Sequence, residues 1–326
     1  MNESLIEVVQ GRNNPMIDPS LHIWGWEIPV YLFLGGVVAG MLVLSAALAL
    51  RDRDGPRSKA LQTAPLLALG LLSVGMAALF LDLEHKAYVW RFYLAFKAAS
   101  PMSWGSWILL LVYPAGIMMG FGMLDSDRRA ALLDSRFVRG LHLRSLVMCI
   151  LGRADAARRG ALWAGIIAGS ALGLYTGILL GTMVSMPLWN TAVLGPLFLT
   201  SGVSTGAAVL LLLPLSTGER HVVARWDMAA IFVEIVLIVV MLIGFATGGH
   251  ASHVAFSQLV DGPSASAFWA LVVVAGLAAP FTLEAIEVRR SLKPLALTPI
   301  LVLIGGLSLR WILVIAGQAS SWANIP

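Results

Sequence analysis

Five charged side chains in this sequence fall inside stretches that are otherwise apolar: Asp82, Glu234, Glu284, Glu287 and Arg310. Ionisable groups in apolar runs of membrane length are costly, so they are candidates for proton exchange, charge pairing or ligand binding. Glu234 stands seven residues beyond Asp227, about two helical turns inside its run. Its side chain is too short to reach water from there. Arg310, followed by Trp311, suits a counter-charge for a carboxylate or a donor to a buried carbonyl. Glu284 reads equally as an interfacial anchor and as a proton-entry group, and Glu287 reads as an anchor. A second cluster gathers His22, Asp82, Glu84 and His85 where one apolar run begins and the next ends. Such groups can hydrogen-bond the two carbonyls of a quinone and exchange the protons that accompany its electrons. Polar residues simply collecting in loops is the alternative, and residue types alone leave the two even.

Other chemistries are excluded by what is missing. With one cysteine, Cys149, the chain lacks the ligands for a cysteine-held iron-sulfur cluster or zinc site and cannot form an internal disulfide. A transmembrane haem needs facing histidines within the bilayer, but the six histidines fall in loops or at the boundary. The run from Gly248 to His253 holds two histidines in a loop, a pattern more often solvated than metal-bound. A haem or cluster in this chain is therefore not expected, and neither is a metal site. No residue is assigned a catalytic role of its own.

The elements that must position these groups are membrane helices. The chain is 58% hydrophobic and 12% charged, with a mean hydropathy of +0.84, which is the composition of a polytopic membrane protein. Eight runs have the length a span needs. They cover roughly Ile28 to Leu50, Ala64 to Leu83, Trp104 to Leu124, Ala161 to Val184, Val193 to Leu215, Met228 to Thr247, Ala267 to Ile286 and Leu295 to Gly317. Alternate loops carry 17 Lys and Arg against 4 on the other side, so both termini are expected to face outward. The formal charge of +4 reports this orientation and gives no reason to expect nucleic acid. The N-terminal segment has Glu3 and Glu7 and no apolar core, which leaves the first span to direct insertion. We expect one membrane domain, 1–326, with an outer segment 1–27, the eight-helix body 28–317 and an outer tail 318–326.

Local patterns add detail. Pro29 suits the first turn of span 1, and Gly36 and Gly40 form a small-xxx-small pair for close helix approach. Span 4 carries Gly165, Gly169, Gly173, Gly177 and Gly181 at a spacing of four, a ridge for packing that leaves Tyr175 on another face. Ser145 to Ile150, among arginines, reads as an interfacial helix. The link from Glu84 to Ser103 is rich in aromatics and reads as an interfacial belt or a docking surface.

The sequence resembles the NrfD-type membrane subunits of polysulfide-reductase-like complexes. The resemblance rests on H-I-W-G-W-E-I-P-V-Y-L-F-L-G-G (His22 to Gly36), L-D-L-E (Leu81 to Glu84), S-P-M-S-W-G-S-W (Ser100 to Trp107), Y-T-G (Tyr175 to Gly177), P-L-W-N-T (Pro187 to Thr191), P-L-F-L-T-S-G (Pro196 to Gly202) and G-G-L-S-L-R-W (Gly305 to Trp311). It implies an all-α membrane protein with its eight helices in two four-helix bundles, in a bacterial inner membrane. It also implies a quinone, menaquinone or ubiquinone, bound near the outer face by His22, Asp82 and Tyr175, with Asp18 where some members have an amide. Trp24 is expected to wall the slot, together with Trp26. Asp18 and the Glu84-His85 continuation depart from the family pattern. A proton route from the inner side is expected at Glu234, Glu284 and Arg310. The implied partners are a four-cluster, ferredoxin-like iron-sulfur subunit and a catalytic subunit of molybdopterin or multihaem type, besides membrane lipid. A secondary transporter and an inert anchor are the rival readings.

Overall fold

Pro101, Ser58 and Ser216 open three of the long helices, each in the way its chemistry allows. Pro101 occupies the first helical turn, where its missing N–H is no loss. The Ser58 hydroxyl accepts from the Leu61 amide. Ser216 and Glu219 form a reciprocal capping box. The computed structural model describes residues 24–52, 57–83, 85–94, 96–290 and 296–320. It contains eight helices long and apolar enough to cross a membrane: α1 Glu27–Arg51, α2 Lys59–Asp82, α3 Pro101–Met123, α4 Arg158–Gly181, α5 Leu194–Leu212, α6 Thr217–Ala246, α7 Ala265–Glu287 and α8 Leu297–Ala319. They correspond one to one with the eight predicted runs, and no strand occurs among the described residues.

The largest departure is α6. It begins at Thr217 and not near Met228, because the capping box starts the helix in polar sequence and hydropathy does not register that turn. Asp227 therefore sits within α6 and is fully buried; it does not mark a surface. The link after α2 contains a short 3-10 turn, Lys86–Tyr88, and a single helical turn, Arg91–Leu94. Within α7, residues Phe268–Ala278 wind as a π-helix.

Helix α1 is central, with 78% of its apolar window buried against 28% for α7. It packs on α2, α4, α5 and α8. Contacts run α1–α2–α3–α4 and back to α1, and α5–α6–α7–α8 and back to α5, with α1 and α4 against α5 and α1 against α8 joining the two groups. Glycine makes these approaches possible. A Cβ on Gly40 would stand 2.1 Å from the Gly202 carbonyl oxygen of α5. On the α4 ridge, a Cβ at Gly177 would stand 2.2 Å from the Leu194 carbonyl oxygen, whereas Gly181 is at ordinary contact distance. In lipid, where apolar surface gains little by leaving its solvent, such backbone proximity is what holds helices together. Large apolar side chains such as Val74, Phe232, Val239 and Ile243 point outward, as a lipid-facing surface requires.

The arginine-rich end is knitted by polar contacts. The Gln62 amide donates to Asp125 Oδ2 at 3.1 Å and its carbonyl accepts from the Asp125 N–H at 3.1 Å. Arg129 forks onto Asp155 at 2.5 and 2.6 Å, and this hydrogen bond holds the Asp155 carboxyl below its ordinary range. Helix Arg144–Ala156 contains the predicted interfacial stretch. It buries Val147 and Leu151 and exposes Leu146 and Met148.

Candidate functional site

The segment that enters α1 brings in Trp24, and the first turns of the helix bring in Ile28 and Tyr31, three residues apart on one face. At the arginine-poor end these side chains wall a cavity of about 510 Å³. From α2 come Ser73, Met76, Phe80 and Asp82, from the following link Phe92 and Tyr93, from α3 Met102, Gly105 and Ser106, and from α4 Tyr175, Leu179 and Leu180. The volume is that of a small-molecule site, greasy with a few polar groups. Burial raises the Tyr93 hydroxyl above its usual range, with Tyr113 adding to the effect. Tyr175 lies flat against Gly105, where a Cβ would come within 2.1 Å of its Cζ and hydroxyl. The glycine of the S-P-M-S-W-G run thus holds the space for the tyrosine of the Y-T-G run.

Three predicted site residues, Trp24, Asp82 and Tyr175, meet in this cavity. Asp18, His22 and Glu84 lie outside the described residues. Two expectations need correction. Trp26 is half exposed and is not part of the cavity wall: it caps α1, while Trp24, in the non-helical segment before the helix, is the residue that borders the cavity. His85 faces a neighbouring surface concavity with Arg91 and Lys97, and of the two described members of the predicted cluster, Asp82 borders both spaces and His85 the concavity alone. Tyr31 is a wall residue that the sequence reading does not single out. The available signal is its spacing, three residues after Ile28 and so on the same helical face.

Trp24 is fixed in place. Its N–H donates to Gln318 Oε1 at 3.1 Å and its carbonyl accepts from Gln318 Nε2 at 3.2 Å. Its ring stacks on Trp189 at 5.1 Å between centroids. Trp189, from the P-L-W-N-T run, is fully buried and donates to the Leu313 carbonyl at 2.7 Å. Gly317 leaves room for that indole. The cavity wall is thereby pinned to α8.

A second polar group is buried between α5, α6, α7 and α8. Arg310 Nη1 donates to Ser201 Oγ and to the Gly306 carbonyl, both at 2.9 Å, and Nη2 donates to the Phe198 carbonyl at 3.3 Å. Glu234 faces Ser201 and the Arg310 charge. Of the two expected roles of Arg310, that of donor to buried carbonyls is met by its hydrogen bonds to Gly306 and Phe198; Glu234 lies within Coulombic reach, with no ion pair between the two among the described residues. Nearer the arginine-rich end, Ser204 donates to Asp227 Oδ1 at 2.6 Å. Asp227 and Glu284 lie within Coulombic reach of each other, and Asp227 Oδ2 and both Glu284 oxygens are buried with no hydrogen-bond partner among the described residues. Asp227 is a member that the sequence reading misses; its place seven residues before Glu234, on the same face, is the available signal. The π-helical Gly276 lies against Gly305 of α8 and borders the same space as Glu234, and π segments recur at functional sites.

The two groups approach each other through α1. Gly36 rests on the Arg310 guanidinium, and a Cβ there would stand 2.7 Å from Nη2. Leu32, one turn away on α1, lines the cavity.

Residues 13–321 match the family described as polysulphide reductase, NrfD. The sequence is 28% identical to a polysulfide reductase chain of Wolinella succinogenes over 91% of this protein and 94% of that one. It is 30% identical to protein NrfD of Escherichia coli over 91% of this protein and 95% of that one. It is 25% identical to a selenate reductase subunit of Mesobacillus selenatarsenatis over 90% of this protein and 73% of that one.

Proposed function

This chain belongs to the polysulphide reductase NrfD family, and on that premise we propose that it is the quinone-reactive membrane subunit of a respiratory oxidoreductase. In this reading the arginine-poor end faces outward, and a partner iron-sulfur subunit on that side exchanges electrons with the quinone. The observation that carries the reading is the apolar cavity that gathers Trp24, Tyr31, Asp82 and Tyr175 at one end of α1 to α4.

A quinol gives up two electrons and two protons as it becomes a quinone, and the reverse reaction takes them back. The chain's share is binding and proton handling. Tyr175 donates a hydrogen bond to a carbonyl oxygen, and the apolar walls hold the ring. Asp82, bordering both the cavity and the surface concavity, accepts a proton from the site and releases it to water, or does the reverse. His22 is the second donor in this proposal. The electrons leave or enter through the partner.

Proton movement from the arginine-rich end is the finer part of the proposal. Asp227 and Glu284 receive the proton, Ser204 and Ser201 stand between them and Glu234, and Arg310 balances the Glu234 charge. Because Gly36 touches Arg310 and Leu32 lines the cavity, a change in the cavity has a one-turn path through α1 to the buried charges.

The test is purification of the complex in mild detergent, followed by quinol oxidation and quinone-site inhibitor binding. An iron-sulfur protein should accompany the chain. His22→Ala should weaken inhibitor binding by a few-fold to about a hundredfold, the range expected for one lost donor. A chain that purifies alone and turns over no quinone is a transporter or an anchor, and the reading fails.

A further inference from the structure

At the arginine-rich ends of α1, α2 and α4 a concavity of about 320 Å³ opens between Arg57, Arg158 and Arg159. We infer that it is a phosphate site for the headgroup of an anionic membrane phospholipid. Its floor is apolar, formed by Leu50 of α1 and Leu162 of α4. The one acid on its wall among the described residues is Asp155, and that carboxylate is already held at both oxygens by Arg129, at 2.5 and 2.6 Å. Asp155 lies within Coulombic reach of Arg158, but its charge is shared with a stronger partner. Glu219, near this corner, accepts from the Ser58 and Ser216 amides, and Asp52, whose carbonyl accepts from Arg57 at 3.4 Å, is exposed to solvent.

Arg158 and Arg159 make no hydrogen bond or ion pair to protein among the described residues. Arg57 leans on the Ala49 and Asp52 carbonyls at 3.5 and 3.4 Å, which holds its charge at the rim of the opening. Guanidinium groups fork onto phosphate oxygens, and a cluster of them is a stronger anion site than separate charges.

Depth selects lipid over a soluble anion. Leu50 and Leu162 belong to membrane-spanning helices, and helix Arg144–Ala156 alongside exposes Leu146 and Met148 at the same end. These put the arginines at the headgroup level, where basic pockets between spans take acidic lipids. The apolar floor suits the first carbons of an acyl tail and offers nothing to inorganic phosphate.

The experiment uses the delipidated complex in detergent. Binding of phosphatidylglycerol, phosphatidylcholine and inorganic phosphate is measured by native mass spectrometry and by thermal shift. The parent should bind phosphatidylglycerol in preference to the other two. Arg158→Gln with Arg159→Gln should weaken that binding by about 25-fold, and Arg159→Gln alone, on an exposed side chain that folding does not need, by about fivefold. Phosphatidylglycerol bound equally by parent and variants overturns the site. Inorganic phosphate bound as tightly as the lipid overturns its assignment to a lipid, and equal binding of phosphatidylcholine overturns the role of charge. Each outcome is independent of quinone turnover, so failure here and failure of the quinone reading are distinguishable.

Discussion

Gly105→Ala tests the quinone cavity through a residue that carries no chemistry of its own. The added Cβ would stand 2.1 Å from the Tyr175 hydroxyl, and ordinary contact begins at 3.4 Å, so the hydroxyl must retreat by about 1.3 Å. A hydrogen bond of about 2.8 Å stretched by that amount exceeds about 4 Å and is lost. Losing it costs about 0.5 to 1.5 kcal/mol, or about 2- to 12-fold in affinity. Stability should fall by about 0 to 2 kcal/mol. Alanine gains roughly 1 kcal/mol of helix propensity over glycine, which offsets part of the roughly 1 to 3 kcal/mol of overpacking. The assay is inhibitor binding and quinol oxidation in purified complex of unchanged subunit composition, beside a thermal midpoint. Tyr175→Phe should fall in the same affinity range, and the double variant should lose little beyond Gly105→Ala, since both act on one hydroxyl. Parent-like binding in Gly105→Ala, in a complex of parent-like stability, would show that Tyr175 is no donor to the quinone.

Asp82→Asn should keep inhibitor binding within a few-fold and slow turnover by tenfold or more, an order-of-magnitude expectation for losing a proton-exchanging group; equal turnover across the pH range refutes its role. Glu234→Gln, which keeps the shape but cannot ionise, should lower the number of protons moved per electron in reconstituted vesicles while electron transfer persists; an unchanged ratio leaves Glu234 a structural residue. Gly40→Leu should abolish assembly, because α1 and α5 cannot separate to admit a side chain where a Cβ already meets a carbonyl at 2.1 Å; a normal yield of complex refutes the packing. The Arg129–Asp155 pair stabilises the fold above the ordinary Asp value of 3.8 and loses that contribution as pH falls through the lowered folded value. The pair is partly exposed, so the effect is at most about 1 kcal/mol. Arg129→Gln should flatten the acid-side dependence of unfolding, and an unchanged profile would show the pair to be inert.

Much of this protein is legible in one dimension. Eight helices follow from runs of apolar residues, because a backbone in lipid must satisfy its own hydrogen bonds within about 20 residues. The α4 glycine ridge and the isolation of Glu234 and Arg310 are a periodicity and exceptions within single helices. Their meeting partners are not. That Tyr175 and Asp82 share a wall, that Gly105 makes room for the tyrosine, that Arg310 touches Gly36, and that Asp227 is a buried member of the second polar group all depend on which helices are neighbours. Hydropathy is blind to this, since lipid tails are as apolar as leucine and the pairing of helices is decided by small-residue contacts and buried polar bonds between distant segments. The start of α6 and the π-helical part of α7 escaped for a related reason: a cap overrode hydropathy in the first, and in the second the Gly276 contact with Gly305 exists only once α7 and α8 have come together.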